Sequence, residues 1–200
     1  MSNKGINEII EGLSCKEIEL AKEMESMRLM QERLVALKQQ CIMFRDQPNT
    51  FMMESRKPFY LLNHVRGHDF IEDENIKRRV KKMIDCMPFT MKLYHFPINT
   101  SSQNIAKPTL ALGINAETAE RLNFDVSEPM QFFDEANCFL YIYSDFRTKY
   151  DIEHIVKNAM DIMTKEGYVL DGDIIVEAVI DQYINQERVF QLLIWMPVKE

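Results

Sequence analysis

The sequence predicts an α+β protein: one long N-terminal helix, then a duplicated strand–helix–strand–strand domain built on an antiparallel sheet. Three observations carry that expectation. Residues Lys16 to Asp46 contain no Gly or Pro and are dominated by Glu, Lys, Met, Leu and Gln, all good helix formers. Short apolar runs alternating with amphipathic helical segments follow from Phe51 to the end. Finally, a shift of 79 residues lays Tyr60 on Phe139, Ile76 on Ile155, Val80 on Ala159, Met83 on Ile162 and Ile84 on Met163. Two such halves would form one antiparallel sheet with both helices on one region of it and a cleft between the halves.

The first element, residues 1–47, reads as a dimerisation helix. Leu13, Leu20, Met27, Leu34 and Cys41 recur every seven residues, with Met30, Leu37 and Phe44 three further on. This is the a/d seam of a coiled coil, broken at Glu23 and ended by Gln47-Pro48-Asn49. The seam residues Leu20, Met27, Met30, Leu34, Leu37 and Phe44 are expected to meet a second copy in a homodimer. The alternative is a helix lying across its own domain.

Residues 48–200 form the second region. Strands are expected at Phe51–Glu54 and Phe59–Val65, then a helix over Glu72–Met87 with Ile76, Val80, Met83, Ile84 and Met87 on its apolar face. The opposite face, Lys77, Arg78, Arg79, Lys81 and Lys82, reads as a solvated face rather than a nucleic-acid patch. Strands at Thr90–Phe96 and Thr109–Ile114, a short helix at Glu117–Leu122, and strands near Pro129–Phe133 and at Cys138–Ser144 come next. A helix from Asp151 to Lys165 ends at Gly167. Gly172–Ile180 and Val189–Val198 complete the chain as a hairpin turning at Asn185-Gln186.

Composition narrows the function. The chain has 200 residues, is 46% hydrophobic and carries a net charge of −7, so it can bury a core and by itself is a poor partner for phosphate backbones. The four cysteines, Cys15, Cys41, Cys86 and Cys138, show no CxxC spacing and read as buried reduced thiols. No signal peptide or membrane span is recognisable, which makes the cytoplasm the expected compartment. His64 and His68 are four apart but interrupted by Gly67, and no metal or other cofactor is expected. No phosphate loop, nucleophile elbow or HExxH motif points to an enzyme.

One residue is out of place. Glu177 lies within Ile174-Ile175-Val176-Glu177-Ala178-Val179-Ile180, a run apolar on both faces. A carboxylate buried there loses several kcal/mol of solvation unless a cation, hydrogen bonds or protonation compensates. Either an edge or bulge lets it reach water, or it awaits a cationic or hydrogen-bonding ligand. Asp181 is a weaker candidate of the same kind. Rings that could surround such a ligand are Tyr94, Tyr141, Tyr143, Phe146, Tyr150, Phe190 and Trp195.

Element order, the segment Gly172-Asp173-Ile174-Ile175-Val176-Glu177, the Asp145–Tyr150 stretch and the closing Leu193-Ile194-Trp195-Met196-Pro197-Val198-Lys199 together resemble the GyrI-like effector-binding domain. The arrangement is that of multidrug-sensing, BmrR-like MerR transcription regulators. The resemblance covers about residues 13 to 200. It implies a small-molecule effector site for a lipophilic or cationic drug, with Glu177 as the acid at the pocket floor. Tyr94, Phe146 and Tyr150 match pocket aromatics, and Phe190 stands where a tyrosine is expected. The spacing between Glu177 and Tyr183 departs by one residue, which a β-bulge would restore. The winged helix-turn-helix head of that family is not present beyond its tail, which Gly5–Leu13 resembles, so DNA is expected to be reached only through a domain absent from this chain. A stand-alone GyrI-like binding protein, or a small hydrolase using Glu177 as general base, is the alternative.

Overall fold

The structure, a computed structural model, describes residues 3–66, 69–99, 104–146, 151–184 and 187–199. Helix α1 (Asn3–Asp46) fills nearly all of the 1–47 region and extends N-terminal of the Gly-free run that begins at Lys16, because Gly5 and Gly12 are tolerated in a helix whose other residues favour it. At 1.5 Å per residue its 44 residues span about 66 Å. It stops where Asn49 turns to φ 57°, the left-handed region that asparagine tolerates, and the Asn49 side chain accepts from Ser144 N at 3.2 Å.

After α1 come β1 (Thr50–Arg56), β2 (Phe59–Arg66), β3 (Asp69–Phe70), α2 (Glu74–Asp85), β4 (Thr90–Phe96), β5 (Ile98–Asn99), β6 (Asn104–Ile105) and β7 (Thr109–Asn115). The second half holds α3 (Ala116–Arg121), β8 (Gln131–Phe133), β9 (Ala136–Phe146), α4 (Ile152–Lys165), β10 (Val169–Leu170), β11 (Ile174–Ile184) and β12 (Glu187–Lys199). The expected strands and helices are present within a few residues of their limits. The two-residue strands β3, β5, β6 and β10 were not anticipated, being too short to show a period. The expected turn at Asn185-Gln186 lies outside the described residues.

The main sheet is antiparallel, in the order β1-β9-β12-β11-β4-β7-β2-β3, with β8 beside β2 and β10 beside β12. The repeat is visible in this order. The first half contributes β2, β7 and β4, the second β9, β12 and β11, and the halves meet where β4 pairs with β11. Each half carries its own helix. Asp73 caps α2 by accepting from Asn75 N and Ile76 N, and Asp151 caps α4 by accepting from Glu153 N and His154 N.

Strand alternation sends side chains to two faces. On one face α2 packs Met83 against Leu62, Leu112 and Ile114, while α4 packs Ile155, Val156, Ala159 and Met163 against Val176, Leu192, Ile194 and Met196. On the other face Phe59, Leu61, Leu93, Ala111 and Ile175 form a cluster with Trp195, and Phe44 of α1 seals a second one with Leu140, Ile142 and Leu193. The helix thus lies across its own domain through its C-terminal half.

Docking does not consume the heptad seam. Leu29, Arg33, Ala36, Gln40 and Phe44 form the face turned to the sheet, about 100° around the helix from the seam at 100° per residue. Leu20, Met27, Met30 and Leu34 are exposed, Leu37 is half-buried, and Leu29 is buried. Phe44 is the correction: it belongs to the intramolecular core, because the helix twist carries the last d position round to the docked side.

Other expectations change as well. Arg79, assigned to the solvated face of α2, is buried; it pairs with Asp125 at 2.7 Å and donates to Ser127 Oγ at 2.9 Å. The hydrogen bonds from Ser127, then Arg79, hold the Asp125 carboxyl at about 2. Of the four free cysteines only Cys138 is buried; Cys86 is half-buried, and Cys15 and Cys41 are exposed because they sit on undocked faces of α1. No helix among the described residues is long and apolar enough to cross a membrane.

Candidate functional site

Glu177 sits in the middle of β11, flanked by β4 and β12, opposite Leu93 and Leu193. Its neighbours Val176 and Ala178 point to the α4 side, so the carboxylate points to the side covered by α1. There Arg33 Nη2 stands 3.8 Å from Glu177 Oε1, and Arg33 Nε donates to Pro88 O at 3.2 Å. Burial pushes the Glu177 carboxyl above the usual carboxylate range; the positive charge of Arg33 and hydrogen bonding from Gln40 oppose that shift without cancelling it. Glu177 is only 7% exposed, so the run apolar on both faces does reflect burial, with the acid answered from the helix rather than by water.

A cavity of about 420 Å³ opens between α1 and the sheet beside this pair. Its walls include Arg33 and Gln40 from the helix, Arg56 and Phe59 from the β1–β2 corner, and Glu177 and Trp195 from the sheet. A neighbouring space of about 430 Å³ shares Gln40, Glu54 and Trp195 with it and is lined by Met43, Met52, Leu140 and Leu193. The first space mixes charged groups with apolar side chains, and the second has the more apolar wall, the setting in which drug-sized molecules are held. Arg56 is buried over the rings of Phe59 and Phe133, its Cζ 5.0 and 5.8 Å from their centroids. Its Nη2 donates to Asp134 O at 3.4 Å, while Nε and Nη1 have no hydrogen-bond partner among the described residues. Gln40 Oε1 is likewise buried without a partner.

The expected rings do not join Glu177. Tyr94 is opposite Val176, Tyr143 opposite Leu192 and Phe190 opposite Asp181, all registers that aim at the α4 side. Tyr94 and Tyr143 pack against the α4 cluster, and Tyr143 Oη donates to Asp145 at 2.8 Å. A register shift lies between Ala178 and Ile180, within the Glu177–Tyr183 interval. It turns Asp181 to the Tyr94 side, where Lys92 pairs with it at 2.7 Å and lies 5.9 Å over the Tyr94 ring. The Phe146 side chain and Tyr150 lie outside the described residues. Of the rings named from sequence, Trp195 lines the Glu177 cavity.

Arg33, Gln40, Arg56 and Phe59 escaped the sequence reading. A faint signal existed for the first two: Leu29, Arg33, Ala36, Gln40 and Phe44 fall on one helical stripe, with a small residue at its centre that lets the helix approach a surface. For Arg56, the cue would have been a basic residue just before Pro58, between two strands.

A second polar cluster lies on the same face. His95 Nε2 meets Asp173 Oδ2 at 2.8 Å, His95 Nδ1 meets the Asn63 amide, and Thr109 Oγ1 donates to Asn63 Oδ1 at 2.6 Å. Asp173 also accepts from Ile98 N at 2.9 Å, and these bonds draw its carboxyl below the usual range against the opposing effect of burial. His95 is buried and T-stacked on Phe133, so this chain of bonds ties β2, β4 and β7 to the residue that leads into β11.

No protein-family profile matches this chain, and no curated protein matches it. Among solved structures it is similar to EcmrR in a cryo-EM structure of an EcmrR–DNA complex within EcmrR-RPo, with 12% identity over 96% of this chain and 72% of that one and a TM-score of 0.48. It is also similar to the crystal structure of the EcmrR C-terminal domain, with 11% identity over 76% of this chain and 98% of that one and a TM-score of 0.47.

Proposed function

We propose that this chain is the dimerisation and effector-binding module of a MerR-type transcription regulator, and that the cavity beside Glu177 takes a lipophilic cation. The observation that carries the reading is a buried carboxylate opening on a cavity that sets Phe59, Leu93, Ile175 and Trp195 among charged groups and whose other wall is the long helix. A ligand there touches both the sheet and α1, so its binding can favour one packing of the helix over another. The exposed seam at Leu20, Met27, Met30 and Leu34 supports the second part of the reading, since a stripe of that length on a docked helix remains to be covered by a second copy. The family resemblance of the sequence points the same way.

The test is calorimetric titration of the full chain with tetraphenylphosphonium, using triphenylphosphine oxide as an uncharged probe of similar shape. Glu177→Gln should weaken the cation by about tenfold or more, the range of a charge-assisted contact, and leave the neutral probe unchanged. Equal affinity of both proteins for the cation would sink the assignment of Glu177.

A further inference from the structure

Glu177 has a cation beside it within its own chain, and that cation belongs to the helix. We infer that Arg33 is a built-in competitor for the ligand's cationic subsite, which a bound cation must displace, so that occupancy of the cavity releases the docked face of α1. The inference rests on the ligand reading above and adds the residue that sets its specificity and couples it to the helix.

Three observations support it. The Arg33–Glu177 contact is a loose one: 3.8 Å is an ion-pair distance, beyond the range of a charge-assisted hydrogen bond, and Arg33 Nε is committed to Pro88 O. A buried pair with that geometry recovers little of the solvation both groups gave up, so a cation that fits Glu177 better can replace it. Next, Arg33 has somewhere to go. It also lines a neighbouring cavity of about 240 Å³ whose walls include Glu32 and Glu117, both already paired with Arg121, so rotating its side chain takes the guanidinium to the edge of an existing ion network rather than to an open carboxylate. Lastly, the charges require it. With Arg33 in place the walls of the main cavity carry Arg33, Arg56 and Lys57 against Glu54 and Glu177. An entering cation meets a cationic excess until Arg33 leaves. Because Arg33 shares its helical stripe with Leu29 and Gln40, its departure removes one of the ties that hold this face of α1 down.

The coupling is a population shift: the cation binds the Arg33-out state better than the Arg33-in state. A neutral ligand of the same shape has no reason to move Arg33. Specificity and signalling therefore reside in one side chain.

The experiment uses the full chain, titrated with tetraphenylphosphonium and triphenylphosphine oxide, with amide hydrogen exchange followed over residues 29–44. Arg33→Gln should bind the cation about tenfold tighter, as expected for removing a like charge from a partly buried site, with little change for the neutral probe. Saturating cation should speed exchange over residues 29–44 in the native protein, and in Arg33→Gln those amides should already exchange at the liganded rate. Arg33→Lys, which keeps the charge and the stem, should behave like the native protein and separates the charge from a general loss of packing. The inference falls if Arg33→Gln binds the cation no more tightly, or if exchange over this segment ignores the cation. Should Glu177→Gln lose its preference for the cation while Arg33→Gln leaves affinity unchanged, the ligand reading stands and the displacement of Arg33 is refuted. If neither substitution shifts cation binding, both fall.

Discussion

Replacing Phe44 by alanine asks directly which surface α1 serves. The Phe44 ring is 2% exposed and is enclosed by Leu140, Ile142 and Leu193, with Met43, Met52, Val179 and Trp195 at the edges. A buried phenyl side chain hides about 150–200 Å², which at roughly 25 cal/mol per Å² comes to about 4–5 kcal/mol. Alanine keeps the Cβ part of that and leaves a partly collapsed cavity, so the net loss should be about 3–5 kcal/mol. Urea denaturation at several protein concentrations measures it. Since the ring is buried within one chain, the difference between native and Phe44→Ala proteins should not depend on concentration, and amide exchange should rise first in the last turns of α1. A loss below about 1 kcal/mol, or one that grows on dilution, would refute the docking of this end of the helix and return Phe44 to an intermolecular seam.

Two further outcomes follow from the same geometry. Gly113 on β7 faces the buried side chains of β4; a Cβ there would run into Leu93 Cδ1 and stand 3.3 Å from Met91 Cε. Gly113→Ala should therefore cost about 1–3 kcal/mol in urea denaturation and, by driving Leu93 and Met91 into the cavity wall, weaken tetraphenylphosphonium in calorimetry; unchanged values for both would show that β4 yields freely. The raised Glu177 carboxyl, displaced upward from 4.5 chiefly by burial, sets a pH dependence. The native state holds that proton more tightly than the unfolded chain does, so stability should fall as pH rises from the ordinary carboxylate range through the raised value. A bound cation favours the ionised form, so affinity should rise over the same window, level off above it, and be flat with pH in Glu177→Gln.

Much of the architecture was legible because period and local chemistry decide it. Thr90–Phe96 alternates and is a strand with those limits; the helices expected from Glu72 and Asp151 form within two residues of those starts; the 79-residue repeat reappears as two halves meeting at β4 and β11. The site was legible in its most costly residue and in one ring, Trp195. A carboxylate inside an apolar strand is an energetic anomaly that one dimension shows. Which rings lie beside it is a matter of cross-strand register, and register is set by distant segments. One residue of offset sends Tyr94 with Val176 and leaves Leu93 opposite Glu177, and the bulge after Ala178 then separates Asp181 from that face.

The helix shows the same division. Its sequence by itself determined that it forms, where Gln47-Pro48-Asn49 ends it, and that one apolar stripe repeats every seven residues, because propensity and periodicity are local properties. The tertiary structure decided what its other face does. Leu29, Arg33, Ala36, Gln40 and Phe44 mean nothing as a stripe until the sheet presents Glu177, Trp195 and Leu193 to receive them. A buried charge is an intramolecular problem, and its solution, an arginine 144 positions earlier in the chain, exists only once the fold has brought the two within 3.8 Å.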